Sequence, residues 1–527
     1  MLWLLVLYIG INHLKRSKYM GKTYKKNKFN IITALILLFI ITGCSNTTLS
    51  KETAVKADNN SSKDNNESEQ SEKDREPVFP GEITLSTAKG EVGTPVHFSI
   101  KGLQSNTETK LEWKTVEGKF DLNGLYEFTG VLFKDKVVPL TNGKSDAKGI
   151  LEGDFAIPSG FGGNHTIYVK QGNKLMTQAN IHVNPTFKMS PESGPIGTEI
   201  TITADGIGYE DMERNWQLTY DNKFTGLLTA IATDGKAVAK IRAAGPVGKH
   251  TLTIWHGYLG MAYINHEQAP TSYLPVPSFT FEVTEGTVDK NQWVEAIPTA
   301  ADGGVVMPEL KNESGVTVSL DKDSGVVGEQ VTMKAHGLPK NQKVEVIFNT
   351  MRGSRVSGNG FGEKQLNLFS SETDSKGSFT KAFPVPDDLG GIPHRIDLKM
   401  NGKIYGQTYI SITPSIVKVT PTSGPPGTPI QIELKGVGWT EYDNTYNITY
   451  DNGYVGYVCG FNTAGTVIVN MIASGEPGYH IIDFYPGIYR GKQQKPDIYL
   501  APQLTYGDDH PGSAIPAIRL GFEVVKP

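Results

Sequence analysis

Residues 421–438 read PTSGPPGTPIQIELKGVG, and two features of that stretch decide the fold. In its second half Ile430, Ile432 and Leu434 alternate with Gln431, Glu433 and Lys435. A period of two sends successive side chains to opposite faces, so this is a strand with one buried face. Its first half sets Gly424, Pro425, Pro426 and Gly427 in a row. Proline presets φ and removes a donor while glycine supplies positive φ, so the chain can bend here from one sheet towards another. The same order stands at 191–208 as PESGPIGTEITITADGIG, with Ile196 where the second proline of the pair would be.

The two stretches lie 230 residues apart, and the offset persists. Gly206 and Gly208 match Gly436 and Gly438, Thr219-Tyr220-Asp221-Asn222 matches Thr449-Tyr450-Asp451-Asn452, and His250 and Gly257 match His480 and Gly487. This is a tandem repeat. The segments before each copy are related more loosely: Val92-Gly93 with Gly102-Leu103 resembles Val327-Gly328 with Gly337-Leu338. The chain therefore has the order A-B-A′-B′, with A at 81–184, B at 185–285, a Gly- and Ala-rich linker at 286–315, A′ at 316–413 and B′ at 414–527.

Each unit reads as all-β. In B′ the strand candidates are 416–420, 429–437, 446–450, 454–461, 466–472, 480–485 and 518–525, and seven short strands separated by turn signals suggest a sandwich. Asp451-Asn452-Gly453 predicts a hairpin, with Asn-Gly at the positive-φ positions of a type I′ turn. The 421–438 motif resembles the opening of an IPT/TIG domain, which implies an immunoglobulin-like fold for B and B′. A and A′ lack the Ser-Gly-Pro core and keep only Gly93-Thr94 and Ser324-Gly325 with Gly328. The expected fold is a tandem array of four immunoglobulin-like β-sandwich domains after a signal peptide and a disordered tether.

At the other end, Lys22, Lys25, Lys26 and Lys28 precede an apolar run from Phe29 to Ile41 that closes in Thr42-Gly43-Cys44. The run is shorter than the roughly 20 residues a membrane span needs and has the layout of an export signal. Its ending resembles the lipobox of bacterial lipoproteins, which implies cleavage after residue 43 and lipid on the Cys44 thiol. Residues 1–19, ahead of Met20, are read as an over-long start. Residues 45–80 are polar and charged, too poor in apolar groups to repay ordering; with Cys44 they form a tether, and as a flexible coil it would span roughly 33 Å. The expected location is the extracellular face of a bacterial cell membrane.

With Cys44 on lipid, only Cys459 remains, so no disulfide within the exported chain is available. The formal charge is −4, and residues 1–43 hold seven positive and no negative side chains, leaving −11 for the rest. That balance argues against a nucleic-acid partner.

A histidine recurs in every unit at the entrance of a strand: His165, His250, His394 and His480. Each shares its face with apolar residues two and four places on, which directs the ring inward and gives it a structural role comparable to a tyrosine corner. Asp508-Asp509-His510, and His256 with His266-Glu267, contain metal-capable groups in spacings that fit no established site, and they are read as solvated loop residues. Asp321 to Gly325 lacks the remaining ligands of a calcium loop. No Gly-x-Ser-x-Gly, His-Glu-x-x-His or P-loop pattern occurs, so the expectation is no enzyme, cofactor or metal.

The most informative segments are the long connections between the last two strands of B and B′, at 258–278 and 488–517. Long loops in compact domains are often functional. These carry or adjoin Trp255, Tyr258, Tyr263 and Tyr273 in one copy and Tyr485, Tyr489, Tyr499 and Tyr506 in the other. Their amphipathic rings suit a sugar or a protein partner; equally, they suit covering a sheet edge or cementing a joint. The functional expectation is a surface protein presenting binding or adhesion loops to a cell-wall glycan or an extracellular protein, with a glycan-binding array and a structural spacer as the alternatives.

Overall fold

The structure is a computed structural model and describes residues 78–258, 261–286, 293–294, 305–354, 360–488, 501–511 and 515–527. The export signal, Cys44 and the tether up to residue 77 lie outside the described residues.

All four units share one plan. In A, a three-stranded sheet runs Glu82–Leu85, Pro95–Lys101, Leu151–Ala156. The facing sheet runs Lys89–Glu91, Lys174–Asn184, Gly163–Gln171, Glu108–Asn123, Glu127–Lys144. A′ repeats this three-plus-five arrangement in the same order; B and B′ repeat it with a sixth short strand in the large sheet, Met261–Ala262 on Gly248–Tyr258 in B and Trp293–Val294 on Ile518–Val524 in B′. The seven strands expected in B′ are present, and the expected all-β sandwich architecture is what the chain adopts.

The glycine-proline motif does what its chemistry allows. In B the chain leaves Thr186–Ser190, which pairs antiparallel in the small sheet, and crosses to Ser193–Gly194, which pairs parallel with Ser278–Val283 in the large one. Gly197 has φ +87°, a conformation that disfavours other residues. The Thr198 hydroxyl donates to the Pro195 carbonyl at 2.7 Å and closes the turn; Thr428 does the same to Pro425. In A and A′, Lys89–Glu91 and Ser324–Gly325 make the same crossing without Ser-Gly-Pro. The switch belongs to the topology, and several local sequences satisfy it.

The hairpin turns depart from expectation by one residue. The positive-φ pair is Asp221-Asn222 in B and Asp451-Asn452 in B′, while Gly453 begins the next strand. The reason lies in the aspartate, whose carboxylate serves the recurring histidine: Asp221 meets His250 Nδ1 at 2.6 Å and Asp451 meets His480 Nδ1 at 2.5 Å. All four histidines bond the carbonyl of a residue four or five positions earlier, as His165 with Phe161 at 2.8 Å and His394 with Leu389 at 2.6 Å. They brace the strand entrances, as the alternation implied.

Within each pair the domains are joined by backbone. Gly162 N–H donates to the Ile207 carbonyl at 2.9 Å, and Gly390 N–H to the Val437 carbonyl at 3.1 Å. A Cβ on either glycine would lie 1.9 Å from the carbonyl oxygen of Gly206 or Gly436, so only glycine permits this approach. The units are also not independent beads. The Glu108–Asn123 and Glu127–Lys144 strands of A outrun their own sandwich. Their tip reaches B′, where Phe128 N–H donates to Glu441 Oε2 at 2.8 Å and the Tyr126 ring packs tilted against Trp439, 5.4 Å between ring centres. Phe120 and Phe128 of A, Leu227 and Ile231 of B, Leu389 and Ile392 of A′, and Trp439 and Tyr442 of B′ share one apolar core.

Candidate functional site

The two long loops grow from equivalent places in the repeat but do different things. In B the loop leaves Gly248–Tyr258, turns through Met261–Ala262 and a short 3-10 helix at His266–Gln268, and returns at Ser278–Val283. It is held at several points. Leu274 is buried in the B core. His256, buried beneath the loop, meets His266 Nδ1 through Nε2 at 2.8 Å and Thr271 Oγ1 through Nδ1 at 2.7 Å. Burial and the neighbouring His266 hold His256 below the usual histidine pKa. His256 is therefore not the solvated loop residue expected but a buried strand residue under the loop, paired with His266, although no set of three metal-ligand residues gathers among the described residues.

Tyr273 is the fourth anchor. Its hydroxyl donates to Glu213 Oε1, and its ring stands edge-on to His182 of A at 5.3 Å. Desolvation, then the bond to Glu213, pushes the phenol pKa up. Glu213 itself is buried where A meets B, with its other oxygen against Gly163 and Gly208. Between these anchors the loop shows apolar surface: Tyr263 is 45% exposed, Ile264 73% and Tyr273 55%. Trp255 is half-buried and donates through Nε1 to Thr219 Oγ1 at 3.2 Å. Tyr258 ends its strand.

In B′ the corresponding loop is a clasp. Residues 501–511 lie along Lys223–Leu228, the edge strand of the large sheet of B. Leu227 N–H donates to the Pro502 carbonyl at 2.7 Å and Leu504 N–H to the Leu227 carbonyl at 2.8 Å. Tyr485 and Tyr506 face inward: both are buried, 6.3 Å apart between ring centres, and belong to the core of B. Tyr489 and Tyr499 lie outside the described residues.

The Asp508-Asp509-His510 run is not solvated, which corrects the expectation for it. Asp509 and His510 are buried, because the loop folds across the neighbouring sheet. The Asp509 carboxylate accepts N–H bonds from Ile231 at 2.9 Å and Ala232 at 2.7 Å, and desolvation pushes its pKa up. Sequence reasoning also missed the buried pair Asp483–Arg519, with Nε to Oδ1 at 2.9 Å and both side chains fully enclosed. Arg519 reaches the Lys240 carbonyl of B at 3.0 Å and lies over the Tyr485 ring at 5.2 Å. Asp483 alternates with His480, Ile482 and Phe484, so its side points away from the B′ core; it is enclosed because B covers that face.

Fold and site together define the chain as an array of immunoglobulin-like domains braced against one another. No family model matches the sequence, and no curated protein matches it. Among solved structures, Escherichia coli alpha-2-macroglobulin aligns at 9% identity over 84% of this chain, with a TM-score of 0.17, and this chain spans 31% of its length. A protein of Corynebacterium diphtheriae described as membrane anchored aligns at 15% identity over 63% of this chain and 89% of its own, TM-score 0.17. A tetra-tandem repeat from the extending region of a large adhesion protein aligns at 12% identity over 79% and 97%, TM-score 0.18. Alignments this loose say nothing about function. Among the described residues no helix is long and apolar enough to cross a membrane.

Proposed function

We propose that the chain is a non-enzymatic, IPT/TIG-like surface lipoprotein, anchored through Cys44, that presents the 258–278 loop of B to an extracellular partner. The observation that carries this is the divergence of the two duplicated loops. The B′ copy is spent on holding B, while the B copy is pinned at its base and leaves Tyr263, Ile264 and Tyr273 open to solvent. A pinned loop with exposed aromatic rings loses little conformational freedom on binding, which favours affinity. A cell-wall glycan suits ring faces of this kind, and an extracellular protein is the other partner class. The rest of the molecule serves as a stiff mount, which is also the observation favouring a spacer role.

The test is binding of the unlipidated chain, from residue 45 onward, to isolated cell walls, a glycan array and extracellular matrix proteins. Tyr263→Ala with Tyr273→Ala is expected to remove binding without altering the far-UV spectrum. Equal binding by this double variant and wild type refutes the loop assignment. Cys44→Ala is expected to move the protein from the membrane fraction to the soluble one, and unchanged partitioning refutes the anchor.

A further inference from the structure

The two halves of the repeat fill the same corner differently. In A′–B′ the outer face of the large A′ sheet meets Trp439, and the linker enters the angle between them: Met307 and Pro308 share one cleft with Asn349, Arg395, Tyr409 and Trp439. From there the linker follows Lys403–Ile412 and is tied to it four times. The Tyr409 hydroxyl donates to the Pro308 carbonyl at 2.8 Å, Lys311 N–H to Gln407 Oε1 at 2.7 Å, Gln407 N–H to Asn312 Oδ1 at 2.7 Å, and Glu313 N–H to the Tyr405 carbonyl at 2.9 Å.

In A–B the same lane is built but not filled. His165 opposite Ile181 matches His394 opposite Ile410, which sets Asn180 where A′ has Tyr409, Gln178 where it has Gln407, and Met176 where it has Tyr405. Tyr209 stands where B′ has Trp439. The last tie is kept, with Gly81 N–H donating to the Met176 carbonyl at 3.0 Å. The ties before it are lost: Pro80 takes the place of Asn312 and has no carboxamide, and Val78, 98% exposed, leads the chain away from the face. Asn164 and Asn180 are exposed, and among the described residues the Gln178 carboxamide has no hydrogen-bond partner. Lys114 is paired with Asp135 at 3.0 Å and Lys170 with Glu112 at 2.7 Å, which leaves uncharged carboxamides and the Tyr209 ring to meet a ligand.

We propose that this lane binds an extended, proline-containing segment of a partner polypeptide, laid on A as the linker is laid on A′, with its proline against Tyr209 and its backbone on Gln178. Such a segment is pre-extended by its proline, keeps its carbonyls free to accept bonds and loses little freedom on docking. His182, two places along the same face from Asn180, meets the Tyr273 ring edge-on at 5.3 Å, so the lane adjoins the exposed loop of B. The inference therefore rests on the reading of that loop as a binding surface and names the chemistry of its partner.

The probe is the segment that A′ already holds, a fluorescently labelled peptide VVMPELKN matching residues 305–312, titrated with the unlipidated chain from residue 45 onward and followed by anisotropy. Saturable binding is expected, about fivefold weaker in Gln178→Ala, which removes one acceptor, and about fivefold tighter in Asn180→Tyr, which restores the hydroxyl that Tyr409 supplies in A′. Both positions lie on the outer face of the sheet, so folding is not at stake. The peptide with alanine for proline is expected to bind more weakly. No saturable binding by the wild-type chain overturns the proposal, as does equal affinity in wild type, Gln178→Ala and Asn180→Tyr. Displacement of the probe by an equal amount of QSEKDREP, residues 70–77, makes the tether the occupant and overturns it too. The loop assignment fails separately, because it is read from wall, glycan and matrix binding by the Tyr263→Ala, Tyr273→Ala double variant and not from this peptide.

Discussion

Gly226 and Gly456 occupy the same position of the repeat, each in the edge strand after the hairpin turn, and alanine is expected to act oppositely at the two. A Cβ on Gly226 would sit 2.5 Å from the Pro502 carbonyl oxygen and 2.8 Å from Leu504 Cγ. The first of these is backbone, so the clasp must lift. Lifting breaks the two backbone bonds through Leu227, each worth about 1 kcal/mol net, and exposes Leu504, whose burial contributes about 1.5–3 kcal/mol. Alanine in a strand recovers roughly 0.5–1 kcal/mol over glycine. The net cost is then about 2.5–4.5 kcal/mol, borne locally. A Cβ on Gly456 meets none of the described residues, so Gly456→Ala is expected to be neutral or slightly stabilising. Because a four-domain chain does not unfold in one step, the assay is native-state hydrogen exchange across 223–232 and 501–511. Gly226→Ala is expected to speed exchange there roughly 60- to 1,600-fold, at 1.4 kcal/mol per tenfold. Exchange in Gly226→Ala no faster than in Gly456→Ala refutes the clasp.

At the paired joints, Gly162→Ala and Gly390→Ala are each expected to cost about 2–4 kcal/mol, since the 1.9 Å approach must open and a buried N–H loses its carbonyl; differential scanning calorimetry of each variant checks this. Asp483→Ala leaves Arg519 buried without its partner and is expected to destabilise by about 3–5 kcal/mol, whereas Asp483→Leu with Arg519→Met is expected to restore most of the loss; denaturant titrations decide. The histidines predict opposite pH responses. Burial, outweighing their carbonyl contacts, holds His165 and His394 below the usual histidine pKa. The unfolded chain takes up those protons first, so A and A′ lose stability as pH falls below about 6.5. For His480 burial acts downward too, but the Asp451 carboxylate outweighs it and the pKa is raised. That contribution is present below about 6.5 and is lost as pH rises through the folded value. Exchange rates by domain from pH 5 to 8 test both signs, and His394→Gln is expected to remove much of the acid sensitivity of A′.

The lesson from the loops concerns which facts are local. Alternation in 429–435, the Ser-Gly-Pro bend and the turn residues act within a few positions of themselves, so strands, sheet switch and duplicated sandwich were legible without coordinates. The inward histidines were legible for the same reason, since period two fixes a face. The turn was misplaced by one residue because the aspartate that claims positive φ answers to a histidine 29 positions away.

Long-range packing escaped the sequence. Asp483 and Asp509 look like solvent-facing carboxylates, and nothing near them in the chain says otherwise; they are enclosed by B, more than two hundred residues earlier. Tyr263 and Tyr485 belong to equivalent aromatic segments, yet one is open and the other lies in a core. By itself, then, the sequence determined four sandwiches, their duplication and the position of the two long loops, because local geometry and a repeating pattern are enough for those. Only the tertiary structure decided which loop is free and which is a strap, because that choice depends on the surface each loop meets, and a 230-residue repeat presents nearly the same chain to two different neighbours.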